Sequence, residues 1–246
     1  NSKCTHIFTT TGRTHGKYED TYINTIDYLE KPGKLVDNIR DNLFGIIRLA
    51  NITRKLNIHY TYLGTGCIFD YDNKHSVNNG VGYSESDNPN FFGSSYSIVK
   101  GFTDRLIKDY DNVLNLRIRM PIIGMHHSRN FITKITKYEK ICSIKNSMTV
   151  LDELLPIAID MIKNKTVGTI NLTNPSTISH NEILELYKQK VDKKFTWKNF
   201  TIEEQDKVLL SKRSNNKLDT SKLKKMYPYV HNIKDSIEKI LDTFDI

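Results

Sequence analysis

The sequence predicts an α/β protein: a doubly wound parallel sheet carrying a smaller C-terminal lobe. Two observations carry that class. Strand-like and helix-like segments alternate through the first half, with a buried run at 58–69, a helix at 94–109 and a second apolar run at 113–121. After that the pattern becomes irregular, with short helices between polar loops, as suits a lobe standing on a sheet.

The first element is a short strand at 5–9 that runs into the small-residue turn Thr10-Thr11-Gly12. Residues 12–33 are polar and read as loop, closed by the break Lys31-Pro32-Gly33. Between 34 and 56, Leu35, Val36, Ile39, Leu43, Ile46, Ile47, Leu49 and Ala50 recur at helical spacing. The buried strand at 58–69 ends in Gly64-Thr65-Gly66-Cys67, and residues 70–92 form a long polar loop. The 94–109 helix and the 113–121 strand follow. A helix is expected up to about 163, a short strand at 169–172, and a helix to 190 opened by Ser179-His180-Asn181-Glu182, a capping pattern. A polar loop at 212–219 and a last helix at 233–244 complete the chain.

Composition narrows the function classes. At 246 residues the chain has room for one large domain or a domain with a lobe. No apolar run reaches the roughly 18 residues of a membrane helix, so no membrane partner is expected. Three scattered cysteines, Cys4, Cys67 and Cys142, form neither a metal pattern nor a disulfide framework, which points to a reducing cytoplasm. The net charge of +8 is spread over scattered lysines, which reads first as a solvated basic surface, or as a basic groove for an acidic small molecule, rather than a nucleic-acid face.

Chemistry concentrates in two places. Tyr96 and Lys100 stand at Tyr-x-x-x-Lys spacing, one turn apart on one helix face. A cation beside a phenol favours its ionised form, so this pair could hand a proton to a developing alkoxide. The same spacing also fits a plain helix face. Thr65 changes the balance. It ends the preceding strand, and the carboxyl edge of an open parallel sheet is where ligands bind.

Thr65, Tyr96 and Lys100 resemble the triad of the extended short-chain dehydrogenase/reductase superfamily. Further segments sharpen the resemblance: Gly64-Thr65-Gly66-Cys67-Ile68-Phe69, Arg119-Met120-Pro121-Ile122, Arg129-Asn130-Phe131-Ile132-Thr133-Lys134-Ile135, the run at 146–156, Ser179-His180-Asn181-Glu182 and Arg213-Ser214-Asn215-Asn216. Together they look like the UDP-4-keto-6-deoxy-glucose 3,5-epimerase/4-reductase of plant-type UDP-L-rhamnose synthesis, and more distantly dTDP-4-dehydrorhamnose reductase. The resemblance implies a Rossmann-like fold, NADPH as cofactor, UDP-4-keto-6-deoxy-glucose as substrate and an upstream UDP-glucose 4,6-dehydratase as pathway partner.

It also implies roles. Tyr96 protonates the C4 oxygen, Thr65 orients it, and Lys100 lowers the Tyr96 pKa and holds the nicotinamide ribose. Cys67 resembles the acid/base cysteine of epimerisation, and Lys134 is the candidate on the opposite face, with His126 and His127 as rivals. Thr11, Gly12, Asn42 and Pro121 belong beside the cofactor. Asn130, Arg213, Asn215 and Asn216 are expected near the sugar or diphosphate. One departure stands out: the chain contains no Gly-x-Gly-x-x-Gly, so the N-terminal βαβ region that would hold the pyrophosphate is expected to be missing from it.

The domain reading places a partial cofactor domain at 1–125 and a mainly substrate lobe at 126–246, with some segments returning to the sheet. A homodimer is expected, packed through the helices at 34–56 and 94–109. Two other readings stay open, a 4-reductase without epimerase activity and a catalytically silent regulatory subunit.

Overall fold

The structure is a computed structural model and describes residues 3–244. Its centre is a four-stranded parallel sheet of β1 (His6–Thr9), β4 (His59–Thr65), β5 (Val113–Ile118) and β8 (Gly168–Asn171), in that spatial order. Tyr60 pairs with Val113 and Leu114 with Gly168, so β4 and β5 are the inner strands. β4 is buried along nearly its whole length, as a strand covered on both faces must be.

Between β1 and β4 the chain forms a hairpin, β2 (Gly16–Tyr18) with β3 (Thr21–Ile23), and a 3₁₀ turn at Ile26–Glu30. The loop expected at 12–33 is therefore ordered structure. A non-glycine residue, Glu19, takes the left-handed turn conformation at φ 52°, so no Gly or Asn marks the hairpin in the sequence. Next come α1 (Lys34–Ile39), a π-helical turn (Arg40–Phe44) and α2 (Gly45–Lys55). The single helix expected at 34–56 is thus interrupted at Asn42.

α2 and α3 (Ser95–Ile107) cover one face of the sheet, where Ile46, Ala50 and Ile107 pack on Tyr60, Tyr62 and Val113. Beyond β5 lie β6 (Pro121–Ile122), α4 (Phe131–Ile135), β7 (Thr149–Val150) and α5 (Leu151–Lys163). α5 covers the opposite face, packing Leu154, Ile157, Ala158 and Met161 against Leu114, Leu116 and Ile170. Helices on both faces make the sheet doubly wound.

The lobe comprises α6 (His180–Lys190), α7 (Ile202–Val208), α8 (Ser221–Met226) and α9 (Ile233–Leu241). Its own apolar core joins Ile132, Ile183, Ile237 and Ile240 to Ile122 and Val150. The expected cap of α6 is present as a full capping box between Ser179 and Glu182. β8 and Leu223 of α8 belong to the sheet's core, so the second half of the chain threads back through the first.

One buried pair ties α3 to the sheet. Arg117 forms a two-pronged ion pair with Asp104 at 2.8 and 2.7 Å, with Asn115 bonded to the same carboxylate at 2.8 Å. Gly64 makes room for this: a Cβ there would stand 2.3 Å from the Asn115 side chain.

Candidate active site

The carboxyl ends of the inner strands and the first turn of α3 form one unit. Thr65 is buried at the end of β4, and its Oγ1 accepts a hydrogen bond from the Cys67 backbone N–H at 3.0 Å. The Cys67 carbonyl accepts from Ser97 Oγ at 2.7 Å, and Ser94, the N-cap of α3, donates its hydroxyl to Ser97 at 2.9 Å. The strand end is thereby latched to the helix turn that carries Tyr96. Cys67 itself is half-buried, with its thiol free.

Tyr96 is half-buried beside these residues. Burial pushes its phenol above the ordinary value, the nearby Cys67 adds to the rise, and the Thr65 hydroxyl eases it. The lowering by Lys100 expected from the sequence is not what the geometry gives. Lys100 is buried, and its ammonium donates to the Tyr62 hydroxyl while lying 4.5 Å from the Tyr62 ring centre. Burial pulls Lys100 down to about 8, against the opposing charges of Asp104 and Cys67. The Tyr96 phenol therefore stays protonated at neutral pH, which suits a proton donor.

Tyr62 and Ser97 were not singled out from the sequence. A signal existed for Tyr62: a phenol in a buried strand needs a polar partner, and here the partner is Lys100.

The turn after β1 is braced from the π-helical segment. Asn42 is fully buried. It donates to Arg13 O at 2.8 Å and to Asn38 Oδ1 at 2.8 Å, and accepts from Arg13 N at 2.9 Å. Its own carbonyl accepts from Thr103 Oγ1 of α3 at 2.6 Å. Thr11 and Gly12 are exposed at this turn, and a Cβ on Gly12 would come within 3.1 Å of the Asn42 side chain. Asn42 thus positions the segment from behind. Pro121 opens β6, immediately after Met120 in the left-handed conformation at φ 41°. Such strain on a non-glycine residue is typical of functional sites.

The residues expected near the diphosphate fare differently. Asn130 is buried, donating to Ile123 O at 3.0 Å and Met125 O at 2.9 Å, so its side chain shapes the loop before α4. Asn216 is fully buried and bonds Gly66 O at 2.9 Å and Phe69 O at 2.8 Å. Asn215 accepts from Asn146 at 2.9 Å and donates to Arg213 O at 3.2 Å. The Arg213 fork is filled by Asp27 at 2.7 Å. Burial would raise the Asp27 carboxyl, but hydrogen bonds from Arg213, Thr25 and Ser211 hold it far below the carboxylate range. In this geometry Asn130, Asn215 and Asn216 donate their amides to protein acceptors and Asp27 takes the Arg213 fork, while Asn216 Oδ1 is buried without a partner among the described residues, so the four residues brace the site.

Lys134 is half-buried on α4, and burial first, then Arg129, pull its ammonium down. It stands with Arg129 and His15. His126 and His127 are exposed on the preceding loop, and His127 Nδ1 accepts from Arg129 N at 3.2 Å.

A shielded phenol, a hydroxyl to aim it and a buried ammonium, gathered where β4 meets α3, place the molecule among the extended short-chain dehydrogenases/reductases. No protein-family model matches the chain. It is 54% identical over 231 residues to an uncharacterised protein of Acanthamoeba polyphaga mimivirus, covering 94% of this chain and 78% of that one. It is 51% identical over 207 residues to an Arabidopsis thaliana bifunctional dTDP-4-dehydrorhamnose 3,5-epimerase/dTDP-4-dehydrorhamnose reductase, covering 84% and 69%. An Arabidopsis thaliana trifunctional UDP-glucose 4,6-dehydratase/UDP-4-keto-6-deoxy-D-glucose 3,5-epimerase/UDP-4-keto-L-rhamnose-reductase matches at 47% over 238 residues, and the chain spans 34% of its length. Among solved structures, the UDP-rhamnose synthase of Acanthamoeba polyphaga mimivirus superposes with a TM-score of 0.92 at 53% identity, covering 97% of this chain and 82% of that one. A Bacillus anthracis dTDP-4-dehydrorhamnose reductase in complex with NADP shares the fold at a TM-score of 0.73 and 15% identity, over 96% and 79%. The chain belongs to the 3,5-epimerase/4-reductase family of UDP-rhamnose synthesis.

Proposed function

We propose that this chain converts UDP-4-keto-6-deoxy-glucose to UDP-L-rhamnose by 3,5-epimerisation and 4-reduction. The observation that carries the reading is the latch of Thr65 and Cys67 onto the turn bearing Tyr96, in a chain 51% identical over 207 residues to a bifunctional epimerase/reductase.

The donor set fits a nicotinamide nucleotide: a buried ammonium at Lys100 for ribose hydroxyls and a protonated phenol at Tyr96. NADPH, when bound, supplies the hydride for C4 of the sugar. Tyr96 then gives its proton to the C4 oxygen, and Thr65 holds that oxygen in line. For epimerisation, the protons at C3 and C5 are acidified by the adjacent ketone. Cys67 is the base on one face, and Lys134, whose lowered pKa leaves a larger share of free amine, serves the other.

The substrate would come from a 4,6-dehydratase, the activity joined to this one in the trifunctional relatives. A homodimer is proposed through α1, α2 and α3, where Leu35, Val36, Ile39, Phe44, Phe102 and Leu106 are exposed. Free thiols at all three cysteines suit a reducing cytoplasm.

The test is incubation of the full-length protein with UDP-4-keto-6-deoxy-glucose and NADPH in D₂O, followed by nicotinamide absorbance and proton NMR. The expected result is NADPH loss with deuterium at C3 and C5 of a rhamnose product. NADPH loss without that exchange would leave a reductase alone and return Cys67 to a structural role. Sedimentation at micromolar concentration tests the dimer.

A further inference from the structure

A second cluster of charge lies over the same sheet edge. The turn after β1 carries Arg13 and His15, and the segment after β5 carries Arg129 and Lys134. β4, whose end bears Thr65 and Cys67, lies between those two strands. Arg129 Nη2 is hydrogen-bonded to His15 Nε2, so the two flanking segments are joined across the end of the central one. An imidazole nitrogen that accepts from a guanidinium carries no proton, and the other ring nitrogen, Nδ1, bonds Thr14 Oγ1 at 3.0 Å.

The cluster is short of negative charge. Arg13 pairs with Asp41 at 2.8 Å. Among the described residues no carboxylate lies within ion-pair distance of Arg129 or Lys134, although most other arginines that form close contacts here have an acidic partner. Burial and the mutual repulsion of these cations pull both His15 and Lys134 down. Arg129 and Lys134 thus bring two positive charges with no carboxylate partner among the described residues against an imidazole from the far segment, an arrangement that favours an anion.

We propose that Arg129 and His15, flanked by Arg13 and Lys134, form a clamp for the diphosphate of a ligand seated on this edge. A planar guanidinium fork matches phosphate oxygens. The Arg129–His15 bond opens on binding, and both side chains turn to the anion. The inference rests on the proposed function for the source of that diphosphate, since a nucleotide sugar and a dinucleotide both carry one. It places a diphosphate contact away from Arg213, whose fork Asp27 fills, at an arginine with no carboxylate partner among the described residues.

Binding of UDP, NADPH and inorganic pyrophosphate to the full chain, measured by calorimetry for wild type, Arg129→Gln and His15→Gln, tests it. Arg129 is exposed, so its substitution leaves the core intact. Loss of one charge-assisted contact predicts a roughly 10- to 100-fold weaker dissociation constant in Arg129→Gln, with a shallower salt dependence. A loss for UDP alone assigns the clamp to the sugar nucleotide, and a loss for NADPH alone assigns it to the cofactor. Wild-type binding of pyrophosphate that depends on Arg129, with neither nucleotide bound, would keep the clamp and sink the proposed function. Equal affinities in wild type and both variants, or no binding of any probe by wild type, overturns the clamp.

Discussion

The ammonium of Lys100 donates to the hydroxyl of Tyr62, a residue on the neighbouring strand, and lies 4.5 Å from that ring's centre. The tyrosine at its own helical spacing, Tyr96, is left protonated by burial. The ammonium and the phenol are therefore held independently, one by the strand and one by the latch at Cys67.

The first consequence concerns pH. Lys100 is pulled down to about 8, so its charged form is lost as pH rises through that value. Reduction that depends on the charge should decline above a pH of about 8 in a kcat profile. In Lys100→Arg that limb should disappear, with the remaining turnover flat to higher pH. A wild-type profile flat through pH 9 would separate Lys100 from the chemistry.

Tyr96→Phe removes the proposed proton donor but leaves the latch. NADPH oxidation should fall by about 10²- to 10⁴-fold, while deuterium exchange at C3 and C5 persists. Cys67→Ser should give the converse, losing exchange while an already epimerised substrate is still reduced. Equal damage to both steps by either variant would contradict the division of labour between them.

Asn42→Ala deletes the brace behind Gly12 and leaves the Arg13 backbone N–H and C=O without their partner. The expected cost is about 1–3 kcal/mol of stability, with weaker NADPH binding read by fluorescence titration. A variant that melts lower but binds NADPH like wild type would confine Asn42 to packing.

Asp104→Asn leaves the fully buried Arg117 without its carboxylate. Breaking a buried pair from one side costs about 3–5 kcal/mol, and a chain of this size loses about 2–4 °C per kcal/mol. Scanning calorimetry should therefore show a clear fall in Tm. An unchanged midpoint would mean that water reaches the guanidinium.

The Asp27–Arg213 pair sets an acid limit. The folded pKa of Asp27 lies below its ordinary 3.8, so the stability it supplies is complete above that value and is lost as pH falls beneath it. Urea midpoints of wild type and Asp27→Asn should differ at pH 6, with the gap beginning to narrow below pH 4 and closing only as pH falls through the much lower folded pKa. A gap independent of pH would show that the pair is not charged in the fold.

How much of this was legible follows from distance along the chain. The strand ending at Thr65, the Tyr96 helix and the cap at Ser179 are local patterns, and each formed where its residues pointed. The partner of Arg213 is Asp27, 186 positions away, and nothing local announces that carboxylate. Asn216 looked like a loop donor, yet its amide closes onto the carbonyls of Gly66 and Phe69. The hairpin at Gly16–Ile23 was missed because Glu19 carries the turn without glycine. Tyr62 carries no local mark, because its role depends on a lysine arriving from a different element.

The π-helical turn at Arg40–Phe44 has a consequence for length as well as for residue type. Asn38 before it, Asn42 within it, and Ile46 and Ala50 after it share one buried line. A π-helical turn holds one residue more than the regular turn it replaces, so removing one residue there would restore regular winding and leave Ile46 and Ala50 facing the sheet. What such a deletion would disturb is Asn42, which sits inside the turn and holds Arg13. A one-residue deletion in Arg40–Phe44 should therefore keep the helix on the sheet and cost the turn after β1 its brace.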